Sequence, residues 1–178
     1  MYMQDHNSIS ESRNAIIDKV SQYLHWLTIP KKDFGNIPVC PFLDKELNNN
    51  QLYIDIWYPQ HNSFMDLIES FLLSSKNSAL IICPNTHTID YSEVSRKDIQ
   101  KQITDLLRKN PNTEYLKSMI FSPYEDFEVA GVKTRSGAPY FLINVAPTKQ
   151  LAKAHKDLQR TKYFDNFSKQ ERKKLNVK

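Results

Sequence analysis

Each run in this chain that is apolar and aromatic enough to form a β-strand stops at a proline. "QLYIDIWYP" ends at Pro59, "SALIICP" at Pro84, "EYLKSMIFSP" at Pro123 and "APYFLINVAP" at Pro147. Proline has no N–H to donate to a ladder and holds φ near −65°, so each run is confined to one short strand, after which the chain turns or enters a helix. Nine prolines stand against only three glycines. Turns therefore depend on Asn, Asp, Ser and Pro.

Between these strands the apolar spacing changes from alternation to helical steps. "SESRNAIIDKVSQYLHWL" places Ile16, Ile17, Val20, Tyr23, Leu24 and Leu27 on one helical face and predicts a helix from about Arg13 to Leu27. Pro30, Pro38 and Pro41 then predict an irregular extended segment through a Cys-Pro-Phe step, closed by the three asparagines at 48 to 50. Ser63 with Asp66, and Ser95 with Asp98, carry the capping-box pattern ahead of apolar helical faces. They predict helices from about Phe64 to Ser74 and up to Lys109. Pro147 suits the first turn of a helix running through Leu158, and Ser168 with Glu171 caps a last short basic one.

Four strands mixed with four or five helices predict an α+β fold, a mixed sheet of about four strands with helices packed mainly on one face. At 178 residues one core is expected. Residues 1–160 read as a single α+β domain and 161–178 as a basic C-terminal extension of helical character. Forty per cent hydrophobic and 25% charged residues mark a folded chain, not a disordered one. The first residues lack a basic stretch followed by an apolar one, and no apolar run approaches the ~18 residues that span a bilayer. A cytoplasmic location without membrane association is the expectation, with Cys40 and Cys83 as reduced thiols.

Net charge is +4, but its distribution is uneven: from Thr148 to the end the balance is +7, and the preceding residues carry −3. Within that tail Tyr163, Phe164 and Phe167 alternate with Lys162, Arg172, Lys173 and Lys174, a composition that suits phosphate contacts plus base stacking, or equally a helix that docks its aromatic residues on the body. No phosphate loop and no Gly-x-Gly-x-x-Gly is present, which excludes the standard nucleotide cradles, and no cofactor is expected. Cys83 and His87 lie four apart, but without a Cys-x-x-Cys or His-Glu-x-x-His pair no metal site is expected. Glu125, Asp126 and Glu128 read as a solvated acidic loop.

The short motifs, taken in order, resemble a family. "YLHWL", "VCPFL", "ALIICP", "IFSPYEDFEVAG" and "TRSGAPYFLINV" fall in the order and approximate spacing seen in the uncharacterised bacterial and plastid proteins known as domain of unknown function 1415. The resemblance covers roughly residues 15 to 158 and rests on Cys40-Pro41-Phe42, on Phe121 and Pro123, and on Arg135 and Ser136 ahead of Pro139 and Tyr140. It departs where Ser122 and Asn144 stand near positions at which that family has histidine, and where Gly137 and Ala138 intervene before Pro139. It implies no established reaction, and whether the chain catalyses one is left open.

Two functional expectations follow. The first is a pocket for a small anionic ligand near Cys40, Arg135, Ser136 and Tyr140. Arg135 would be the anion clamp, because a guanidinium holds a carboxylate or phosphate in two parallel hydrogen bonds. Cys40 is there either an activated thiolate or a small apolar filler. The second, from a different class, is a non-enzymatic interaction protein whose basic aromatic tail contacts nucleic acid or an acidic partner protein.

Overall fold

A computed structural model describes residues 11–32, 36–84, 95–129, 132–135 and 137–174. The helix α1 spans Arg13–Thr28, with Ser12 as N-cap accepting from the Ala15 amide. A short helix α2, Leu43–Asn48, follows the Cys-Pro-Phe step, where the prolines had predicted only extended chain. The three prolines end before it begins, so nothing in their geometry opposes one more helical turn. Strand β1 is Leu52–Ile56, α3 is Phe64–Leu73, β2 is Ser78–Cys83 and α4 is Arg96–Lys109. Ser63 and Ser95 cap α3 and α4 through their hydroxyls, as the sequence pattern predicts.

Strand β3 is Leu116–Phe121, and a two-stranded hairpin of β4 (Asp126–Val129) and β5 (Val132–Arg135) leads to β6 (Phe141–Pro147). Asp126 and Glu128 of the acidic stretch read as a loop thus lie in β4, with Glu125 just before it; the alternation in Asp-Phe-Glu-Val is only four residues long, at the lower limit of what marks a strand. Helix α5 (Thr148–Gln159), a 3₁₀ helix (Lys162–Asn166) and α6 (Lys169–Lys174) are the last described elements.

The main sheet is mixed and four-stranded, in the order β1-β2-β6-β3. β1 pairs parallel to β2, with α3 as the crossover, while β6 is antiparallel to both β2 and β3. β3 therefore runs with β1 and β2, and β6 is inserted between parallel neighbours. Asn62 secures the turn out of β1: its side-chain amide donates to the Ile56 carbonyl at 3.0 Å and its Oδ1 accepts from the Tyr58 amide at 2.8 Å.

Helices cover both faces of this sheet, which corrects the expectation that they pack mainly on one. Ala79, Ile81 and Cys83 of β2, with Phe141, Ile143 and Val145 of β6, pack against α3 and α4. Leu80 and Ile82, with Leu142, pack against Ile16, Val20, Leu24 and Leu27 of α1 and Leu43 of α2. Every residue of β2 is buried; a strand covered on both sides reads as a continuous apolar run, and such a run does not say how many helices lie over it.

Candidate functional site

On the α1 face the covering is incomplete. Between α1–α2 on one side and α5 on the other lies a groove of about 200 Å³. Its floor is the sheet: Leu80 from β2, Asn144 and Ala146 from β6, and Met119 and Phe121 from β3. Leu24, Leu27, Phe42 and Leu43 form one wall, and Leu151 and Ala154 of α5 the other. Met119 is 51% exposed and Leu151 38%, so apolar side chains face the open side of the groove. The volume falls below the roughly 300–1,000 Å³ of drug-sized sites and suits a short ligand, not a dinucleotide.

Three polar side chains close one end. Glu46 of α2 accepts a hydrogen bond from the hydroxyl of Ser78, a residue buried at the start of β2. Burial pushes the Glu46 carboxyl above the ordinary carboxylate range, and the Ser78 bond only partly offsets this. Gln150 donates to Asn77 Oδ1 at 3.3 Å, tying the first turn of α5 to the strand entry. Among the described residues the groove walls hold no lysine or arginine.

Cys40 also lines this groove. Its amide donates to the Leu27 carbonyl at 3.0 Å, which pins the Cys-Pro-Phe step to the end of α1. Burial raises its thiol pKa, against the lowering effect of the Leu43 and Phe42 amides, and the nearby Glu46 raises it further. A neutral thiol is a poor nucleophile, and these surroundings favour the small apolar filler over the activated thiolate. Cys83 is buried on the opposite face and also raised by burial; both thiols are free.

Of the other residues expected at a pocket, the described groove lining includes none. Arg135 is the last residue of β5, paired in register with Asp126. Ser136 and His87 lie outside the described residues. Tyr140 packs against the same core as Cys40 but does not line the groove. Its hydroxyl donates to Glu11, which also receives Lys19 at 2.6 Å. Burial and the Glu11 carboxylate together push the Tyr140 phenol up. Of the two positions at which histidine would have matched the resemblance, Ser122 is buried and its hydroxyl accepts from the Tyr124 amide at 3.1 Å, whereas Asn144 lies in the groove floor.

The C-terminal aromatic residues dock on the body. Phe164 is 5% exposed, and its ring lies 5.1 Å from Tyr163, 5.3 Å from Phe167 and 5.6 Å from His155. Tyr163 reaches the Val39 carbonyl at 3.5 Å. Burial and the adjacent Cys40 push its phenol up to about 12. Arg172 donates to the carbonyls of Phe167 and Asp165, while Lys162 and Lys173 are exposed and Lys174 ends α6. Phe164 thus has no open ring face for a nucleobase.

A second cavity, of about 270 Å³, lies between α4 and β3, but Arg108, Lys117 and Glu114 at its rim mix both charges and it gathers no other singled-out residue. Among the described residues no group of three or more His, Cys, Asp or Glu could hold a metal ion. No described helix is long and apolar enough to cross a membrane. Sequence reasoning missed Glu46, Ser78 and Gln150, since nothing in "DKELNNN" or "KNSALIICP" shows that a helix end and a strand start meet. In comparisons with family models, curated proteins and solved structures, nothing matches this chain. The resemblance found in the sequence rests on its short motifs alone.

Proposed function

We propose that this protein is a binding module for a small, mainly apolar molecule, and that the groove beside Cys40 is its site. The observation that carries this reading is an apolar channel over the sheet, assembled from α1, α2, β3, β6 and α5, with Met119 and Leu151 left uncovered along it. Contiguous apolar surface with a few convergent polar groups is the usual form of a ligand site. The anion expected from the sequence fits these walls poorly, because their described residues include a carboxyl and no lysine or arginine. Docked aromatic residues in the tail likewise weaken the nucleic-acid reading.

The test uses 1-octanol as probe and the methyl resonance of Met119 as reporter. Saturable shifts of that methyl are expected in the unmodified protein, and Ala154→Trp, which fills the groove from α5, is expected to abolish them. Leu73→Ser, at a position 88% exposed and outside the groove lining, is expected to leave them unchanged. Equal binding by the Ala154→Trp variant would remove the groove as the site.

A further inference from the structure

We propose that the groove selects small lipophilic cations, with an ammonium group seated against the carboxylate of Glu46; this rests on the groove being the binding site. Glu46 lines the cavity, and among the described residues the hydroxyl of Ser78 is its one side-chain partner. It has no salt bridge there, whereas the described carboxylates of Glu11, Asp55 and Glu125 each have a cationic partner. Lys76, on the connection entering β2, donates instead to the Asn50 carbonyl at 2.6 Å. One carboxyl with only neutral polar and apolar side chains beside it in the described lining is a site of unmatched negative potential, and partial removal from water makes the lack of a cationic partner costly.

A ligand cation supplies the missing charge. Its ammonium N–H groups can donate to the carboxylate oxygen that Ser78 does not engage, a charge-assisted bond about twice as strong as a neutral one. Phe42 and Phe121 line the same cleft, and aromatic faces attract ammonium groups at short range. Apolar side chains from α1 and α5 then receive the hydrocarbon part. The same charge disfavours carboxylate ligands, so the cleft discriminates by sign as well as by shape.

Octylammonium, 1-octanol and octanoate share a chain and differ in the head group, and calorimetric titration of all three separates the two levels of the argument. In the unmodified protein octylammonium is expected to bind at least about tenfold more tightly than octanol, and octanoate more weakly than octanol. In Glu46→Gln the advantage of octylammonium is expected to vanish while octanol binding is kept. Equal binding of octylammonium and octanol by the unmodified protein would overturn the charge selection and leave the groove standing. Failure of all three to bind, or unchanged binding of all three by Ala154→Trp, would overturn the groove itself and this inference with it. The three-ligand comparison in the unmodified protein needs no variant, so the outcome does not depend on Glu46→Gln folding.

Discussion

Cys40 shows how a single residue's surroundings favour one of two chemistries that its identity leaves open. Desolvation acts against the thiolate, Glu46 adds to it, and Tyr163 closes over the segment from outside through its contact with Val39. In a Cys83→Ser background, alkylation of Cys40 by iodoacetamide is therefore expected to be slow in the folded protein, with an apparent pKa above the free-thiol value of about 8.5. Denaturant is expected to accelerate it sharply. Fast reaction at neutral pH would show an activated thiol and would return Cys40 to the role of nucleophile. Glycine freedom matters at one described position: Gly137 adopts φ of +63°, in the left-handed region where a Cβ is strained, between the hairpin and β6. There the residue required by backbone geometry is one of the two that interrupt the match to the resembled family.

At the scale of elements, α1 is held to the open edge strand β1 by more than its apolar stripe. Arg13 donates to Asp55 Oδ1 at 2.9 Å, the Ile56 amide donates to the same oxygen at 2.8 Å, and the Tyr53 hydroxyl donates to Oδ2 at 3.0 Å. Burial works against ionisation of Asp55, but these three donors together hold its carboxyl below the ordinary aspartate range. A carboxylate whose pKa is lower folded than unfolded adds stability above the unfolded value of about 3.9 and loses it as pH falls through the folded value. Asp55→Asn is expected to cost about 1 kcal/mol at pH 7, with the gap closing by pH 2. Urea denaturation at the two pH values measures it, and a gap that does not change with pH would show that the cost comes from packing instead of charge. Arg13 is more exposed than Asp55, so salt is expected to weaken part of the effect.

At the scale of the molecule, one sheet joins two cores. Alternate residues of β2 and β6 belong to opposite cores, so neither can be lost without uncovering the strands of the other. Trp57 packs against the core on the α3–α4 side and Trp26 against that on the α1 side. Proteins retaining only one tryptophan, made by Trp26→Phe or Trp57→Phe, are therefore expected to report a single transition each, and simultaneous far-UV measurements to follow the same curve. Fluorescence and far-UV transitions that separate within one variant would show that the α1 layer and the α3–α4 layer unfold independently. The same two-sided arrangement explains the groove: α1 and α2 lie over the β1–β2 side and α5 lies beyond β6, which leaves part of the floor open.

The sequence by itself determined the local elements. Helical spacing in α1, α3 and α4, serine caps at Ser63 and Ser95, and proline stops after the four strands of the main sheet are all local signals, carried within a few residues of where they act. The mixed α+β class follows from them. It could not determine the hairpin β4–β5, whose strands of four residues are too short for their alternation to stand out, nor α2, which is too short for a period to appear. Only the tertiary structure decided that helices cover both faces, that β6 enters between β2 and β3, and that Glu46 and Ser78 meet beside Cys40 while Tyr140 bonds to Glu11 outside the groove lining. Those outcomes depend on contacts between residues far apart in the chain, and the identity of a residue does not say which distant neighbour the sheet order will bring to it.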